Sequence, residues 1–377
     1  MQIIYFPYLH LGELEEINFD GIKVWNFERK SADYIPDGTL REHIKNILYT
    51  NIAHNQSIKD IGVLSIGAID FREFSKKELE IAREVRLLFF LTFLSKYNTL
   101  ERGANTGWYL CTAENFEFVI QNFQLETDHI AEESGYIVPI LSGGYKIGEK
   151  KFYKPSYVLK PLRFSLDALL LIQLLKLRKT GGKKLYRRIL QATDLFFESY
   201  YNNPHLSRNA RVLLQIAAFE TLLQLPQRDQ RKDFKDKIEK YCNLLGEKLY
   251  KHYYETLSGK RPEFRSKKAI WADIYYTLRN HIIHGSKVKP NDFAFKNVQR
   301  HIDIATLFFV LLVKKLINEK RPKKQIFFDE IKWGKTKDRD TDDTFEGFIY
   351  IDNDLTRRLS RALSSRKIRV RKQTKQT

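Results

Sequence analysis

Apolar positions along this chain keep two different rhythms. Through residue 160 strand and helix spacings alternate. Ile17 and Phe19 alternate with polar neighbours up to Asp20-Gly21, and Ile22 and Val24 then resume the pattern, the signature of a two-residue hairpin turn. Leu40, Ile44, Ile47 and Leu48 predict a short helix, and residues 61–68 a buried strand. Ser75 and Glu78 stand as a capping box before a helix that continues to about Ser95. Further strands are expected at 108–112, 116–120, 136–141, 145–147 and 152–159, with Gly143-Gly144 as a turn.

From Ser165 the period becomes helical and stays so. Residues 166–178 are apolar on most sides and stop at Gly181-Gly182; a second helix covers 185–201 and a third 207–225, the last interrupted by Glu220. A charged helix is expected over 229–257, with Phe234, Ile238, Tyr241 and Leu245 at core spacing. Another begins near Ser266 and stops at Gly285, and Asn291-Asp292 can cap a last helix running to Ile317. The expected architecture is α+β in two domains: a mixed α/β domain over 1–160 and an all-α bundle of about six helices over 163–320. An irregular segment and basic tail occupy 321–377, with a possible strand at 345–351 and a short basic helix carrying Leu355, Leu359 and Leu363.

Composition narrows the partners. The 377 residues suffice for two cores, and no apolar run approaches the ~20 residues of a membrane span. The N-terminus has no signal-peptide pattern, and Cys111 and Cys242 fall in different expected domains; both features suit a reducing cytoplasm. The formal charge of +19 favours polyanions, and nine Lys/Arg with no acid lie between Leu355 and Thr377. The bland alternative is a solvated tail that only aids solubility.

Chemically active side chains are concentrated at the end of the penultimate predicted helix, Tyr276-Thr-Leu-Arg279-Asn280-His281-Ile-Ile283-His284-Gly285. On a helical wheel Trp271, Ile274, Tyr275, Leu278 and Ile282 fall within about 100° of one another and form the core-facing stripe. Arg279, Asn280 and His284 lie on the other side, and the long stem of Arg279 can carry its guanidinium round toward the imidazole. This Arg-Asn start, four-residue spacing and His-Gly finish resemble the signature of the HEPN superfamily, whose helical domains include many metal-independent ribonucleases. The resemblance covers only residues 163–320, and the first 160 residues share none of it.

The resemblance implies an endoribonuclease of the abortive-infection or antiviral-defence type, with a toxic nuclease restrained by a sensing domain at residues 1–160 that meets a phage-derived or cellular trigger. Its catalytic residues would be His284 as general base or acid, Arg279 as anion stabiliser and Asn280 as orienter. Chemically, the reaction needs a group to take a proton from a ribose 2′-OH, one to protonate the leaving 5′-oxygen, and a cation for the charge growing at phosphorus. An imidazole and a guanidinium supply these. One chain offers one such His, so a homodimer with a composite site is expected, and Ile283 is the apolar residue such an interface would bury. Lys287 and Lys289 are candidate phosphate contacts, though surface lysines in so basic a chain are mostly just solvated.

The competing reading pairs Arg279 with Glu220 and leaves His284 merely ending the helix. Alternatives of other classes are a non-catalytic RNA- or nucleotide-binding module and a structural dimerisation bundle. Other signals are rejected. Residues 143–150 depart from a phosphate loop because Glu149 displaces the lysine, and Asp338, Asp340 and Asp342 are followed by neither the glycine nor the glutamate of a calcium loop. His281 and His284 would need further ligands to hold zinc. No metal or other cofactor is expected.

Overall fold

The computed structural model describes residues 1–11, 15–53, 56–67, 69, 71–96, 112–122, 152–153, 162–163, 166–201, 206–242, 249–256, 259–295, 299–319 and 332–333. They form two compact units, one drawn from Met1–Ser207 and Lys320–Asp343, the other from Arg208–Glu319. The general α+β architecture is the expected one, a sheet with helices first and then six described helices from residue 168 onward. The boundary, however, falls after Ser207 rather than near 160, so the first two of those helices belong with the sheet and not with a separate bundle.

In the first unit, β1 (Gln2–Phe6), β2 (Glu16–Phe19), β3 (Ile22–Asn26), β4 (Gly62–Ile66) and β5 (Val119–Asn122) join an antiparallel sheet. The strand Lys332–Trp333 lies at one edge, where an irregular segment was expected, and the order from there is β2, β3, β4, β1, β5. The β2–β3 turn is made by Asp20 and Gly21, both with positive φ (51° and 75°), as a tight hairpin with right-handed strand twist demands. Alternation along β1 sends Ile3 and Tyr5 into a core with Trp25, Ile44 and Leu48, which joins α1 (Phe27–Tyr34) and α2 (Gly38–Leu48) to the sheet. Phe6, of opposite parity, meets Phe89 of α3 (Lys76–Lys96) at 6.0 Å between ring centroids. Glu78 accepts from the Ser75 backbone N–H at 2.9 Å while its own N–H reaches Ser75 Oγ, so the predicted capping box starts α3. Helices α4 (Ala168–Lys179) and α5 (Lys183–Glu198) pack with α3, Phe90 meeting Phe197 edge to face at 5.0 Å. Where one strand was expected over 116–120, a 3-10 turn, Ala113–Phe116, precedes β5.

The second unit holds α6 (Arg208–Leu223), α7 (Gln230–Cys242), a hairpin of β6 (Tyr250–Thr256) and β7 (Gly259–Arg265), α8 (Lys267–Ile283) and α9 (His301–Glu319). The hairpin corrects the expected helix over 229–257. Residues 250–256 and 259–265 pair antiparallel throughout, and His252, Glu263 and Arg265 stand on the face fastened to helices. The last helix is also shorter than expected, because Pro290–Phe293 forms a 3-10 turn closed by Asp292 accepting from the Lys289 N–H at 2.7 Å. Helix α8 runs through the core. Trp271 stacks on Phe308 at 4.3 Å, Phe234 packs against both Trp271 and Tyr276, and the Tyr275 hydroxyl donates to Gln215 at 2.6 Å. Of the expected stripe Trp271, Tyr275 and Leu278 are buried and Ile274 and Ile282 half-buried; the buried face is wider, taking in Asp273 and Tyr276.

The expected strands at 136–141 and 145–147, the turn at Gly143-Gly144, Cys111, the aspartates at 338–342 and the tail at 355–377 lie outside the described residues.

Candidate functional site

Two caps fix the ends of α8 and therefore the height of the motif on it. At its start the Ser266 hydroxyl accepts from the Ala269 N–H at 3.2 Å. At its end Gly285, with φ 68°, takes the left-handed turn; its N–H bonds Ile282 O at 3.2 Å and the Ser286 N–H bonds His281 O at 2.9 Å, a Schellman closure. His284 is the capping residue, its N–H on the Asn280 carbonyl at 3.0 Å and its imidazole side exposed.

Arg279 is held from three sides. Its Nη2 lies 3.4 Å from Glu220 Oε1 on α6, its Nη1 donates to Asn280 Oδ1 at 3.2 Å, and the guanidinium carbon sits 5.3 Å from the centre of the Tyr276 ring. Tyr276 donates to the same Glu220 oxygen at 2.5 Å, and its oxygen is also 2.8 Å from Gln230 Oε1. Burial and the adjoining carboxylate push the Tyr276 hydroxyl well above its usual range, so it stays a donor. Arg279 retains 23% side-chain exposure, enough to present part of its fork to solvent while the rest is committed. Arg279 and Asn280 are thus brought together, and His284 stands one turn beyond Asn280 on the exposed end of the helix. Lys287 and Lys289 follow on the exposed loop, and Ile283 is 49% exposed beside His284.

No known protein family, curated protein or solved structure matches the chain. Among the described residues no three His, Cys, Asp or Glu side chains are grouped to hold a metal ion, and no helix is long and apolar enough to cross a membrane.

Sequence reasoning missed a second polar cluster on the same helix. Buried Asp273 accepts two hydrogen bonds from Arg231 on α7, both 2.8 Å, and lies 2.9 Å from His252 Nε2 on β6. Burial alone would raise its pKa, but the bonds from His252 and Arg231 outweigh it and hold the carboxylate below its ordinary range. The signal was an acid set within the apolar run Ile270-Trp-Ala-Asp273-Ile-Tyr275. Since Arg231 and Gln230 are neighbours on α7, the two clusters tie α6, α7, β6 and α8 together beneath the motif.

Proposed function

We propose that the chain is an endoribonuclease that cuts RNA by 2′-OH transesterification, without a metal ion, at a site built from Arg279, Asn280 and His284 of two paired copies. The observation that carries this reading is the Arg279 guanidinium, braced by Glu220, Tyr276 and Asn280 yet partly open, on the helix that ends in exposed His284. In the reaction the 2′-oxygen attacks the adjacent phosphorus and gives its proton to one His284. The P–O5′ bond breaks, the 5′-oxygen takes a proton from the other His284, and Arg279 offsets the charge on the non-bridging oxygens. The products are a 2′,3′-cyclic phosphate and a 5′-hydroxyl.

Pairing of copies supplies the second imidazole, and exposed Ile283 suits the seam. Lys287 and Lys289 contact flanking phosphates, and the basic chain as a whole draws RNA in. The role that fits such an activity is a cytoplasmic toxin-type or antiviral effector whose N-terminal unit meets the trigger. The test is incubation of RNA with protein and chelator, comparing the wild type with Arg279→Ala and His284→Ala. Cuts with cyclic phosphate ends, absent in both variants, support the reading; intact RNA with wild type overturns it.

One observation favours a second reading. Glu220 already neutralises Arg279, as expected of a structural pair. A non-catalytic RNA- or nucleotide-binding module would show RNA affinity unchanged in His284→Ala and no cleavage by the wild type.

A further inference from the structure

Six large apolar side chains are strongly exposed among the described residues, and three of them, Leu249 (52%), Tyr253 (53%) and Phe264 (67%), sit together on the β6–β7 hairpin. Alternation along the strands explains the grouping. Leu249, Lys251 and Tyr253 share one parity, and pairing sets Phe264 opposite Lys251 and Pro262 opposite Tyr253. The other face is consumed by the helices: His252 meets Asp273, Glu263 takes Lys235 at 2.7 Å, and Arg265 takes Glu239 at 2.6 Å and Asp236 at 3.2 Å. A ribbon fastened so firmly on one side holds its opposite side rigid.

Acid and base are paired off on the fastened face. The acids Glu239, Glu263 and Asp273 are all turned inward into ion pairs. On the open side a cation lies against a ring, Lys251 over Tyr253 at 5.3 Å. Rigid exposed rings beside ammonium groups are the chemistry that stacks unpaired bases and holds the phosphates between them. A second protein copy fits less well. Three side chains at these exposures offer roughly 300–400 Å², on the order of half of what one side of a stable dimer buries.

The geometry points to the open face of the β6–β7 hairpin, Tyr253 and Phe264 with Lys251, as a stacking platform for single-stranded RNA. It rests on the reading above for the identity of the strand, and not on cleavage. Phe264 lies two residues before the Ser266 cap, and the rise of α8 from there to Arg279 is about 20 Å, so a strand stacked on the hairpin can extend toward the motif.

The test uses full-length protein carrying His284→Ala, titrated by fluorescence anisotropy into a labelled oligouridylate of about twelve nucleotides and into a duplex of the same length. In this background the paired change Tyr253→Leu and Phe264→Leu removes the rings while keeping the surface apolar. The expected result is single-strand affinity about tenfold or more weaker, duplex affinity unchanged, and an unaltered salt slope because no charge is lost. Tyr253→Phe with Phe264→Tyr retains binding. Unchanged affinity in the leucine pair overturns the platform; so does a change in oligomeric state on sizing with RNA affinity intact, which would mark a protein-docking face. If wild type leaves RNA intact but ring-dependent binding is seen, the nuclease reading falls and the platform stands. If wild type cuts RNA but the leucine pair binds normally, the reverse holds.

Discussion

Arg279 and Glu220 face each other from α8 and α6, with Nη2 3.4 Å from Oε1, and Tyr276 donates to that same oxygen. With each partner about one-fifth exposed, the pair itself contributes at most about 1 kcal/mol to stability. Its greater effect is positional. The guanidinium is steered toward one place, and any phosphate that comes there competes with a carboxylate for it.

Glu220→Gln tests that competition. The amide still accepts from Tyr276 but no longer attracts the guanidinium as a charge. In a His284→Ala background, RNA affinity should rise several-fold, since a like-charged neighbour of the phosphate is gone. If affinity falls or is unmoved, Arg279 does not meet the phosphate.

Removal of each motif side chain tests catalysis itself. His284→Ala and Arg279→Ala should each lower the cleavage rate by about 10²–10⁴, and the double variant by little more than the worse single one, because the groups act on one transition state. Arg279→Lys should recover little, since a point ammonium cannot grip two phosphate oxygens. Independent, multiplicative losses would separate the two residues into different functions.

Both ends of α8 and most helix positions were legible because they rest on local chemistry: Ser266 as cap, Gly285 as stop, Ser75 and Glu78 as a box, Asp20-Gly21 as a turn. The β6–β7 hairpin was not. Its stretch is charged and aromatic, and Tyr250, Lys251, Tyr253 and Tyr254 suit helix or strand by content; what decides is the fastening of His252, Glu263 and Arg265 to distant residues on α7 and α8. The site followed the same division. Spacing on one helix picked out Arg279, Asn280 and His284, and an acid at 220 suggested a basic partner, but Gln230, Arg231 and His252 reach the cluster only through tertiary packing. Strand β1 was missed because both its faces are buried, which erases the alternation by which a strand is read.

Ile283 tests the pairing of copies. It is 49% exposed at the end of α8, in the turn that holds His284. Ile283→Glu sets a charge where two copies would meet and should leave each copy folded, the melting temperature falling by no more than pairing contributes. Light scattering should then show a monomer, with cleavage lost and RNA affinity largely retained. A monomeric wild type at every concentration, or a dimer that tolerates the glutamate, would remove the composite site.

His301 sets an acid limit on the second unit. It begins α9 with 1% exposure, stacked on Tyr275 at 5.1 Å and flanked by Trp271 and Phe295, and neither ring nitrogen has a hydrogen-bond partner among the described residues. Burial holds its pKa down from 6.5 to about 4, against a small opposing pull from Asp292. Below pH 6.5 the unfolded chain therefore binds a proton that the folded chain refuses, so stability falls as pH drops and levels off only below about pH 4. The full loss from this one group is roughly 3 kcal/mol. His301→Phe keeps a ring against Tyr275 and removes both nitrogens. Denaturant melts of the two proteins should give a stability difference that grows steadily in the variant's favour from about pH 7 to about pH 4.5. A difference that stays constant over that interval would mean that the imidazole takes up its proton in the folded state, through a water or a rearrangement of Trp271.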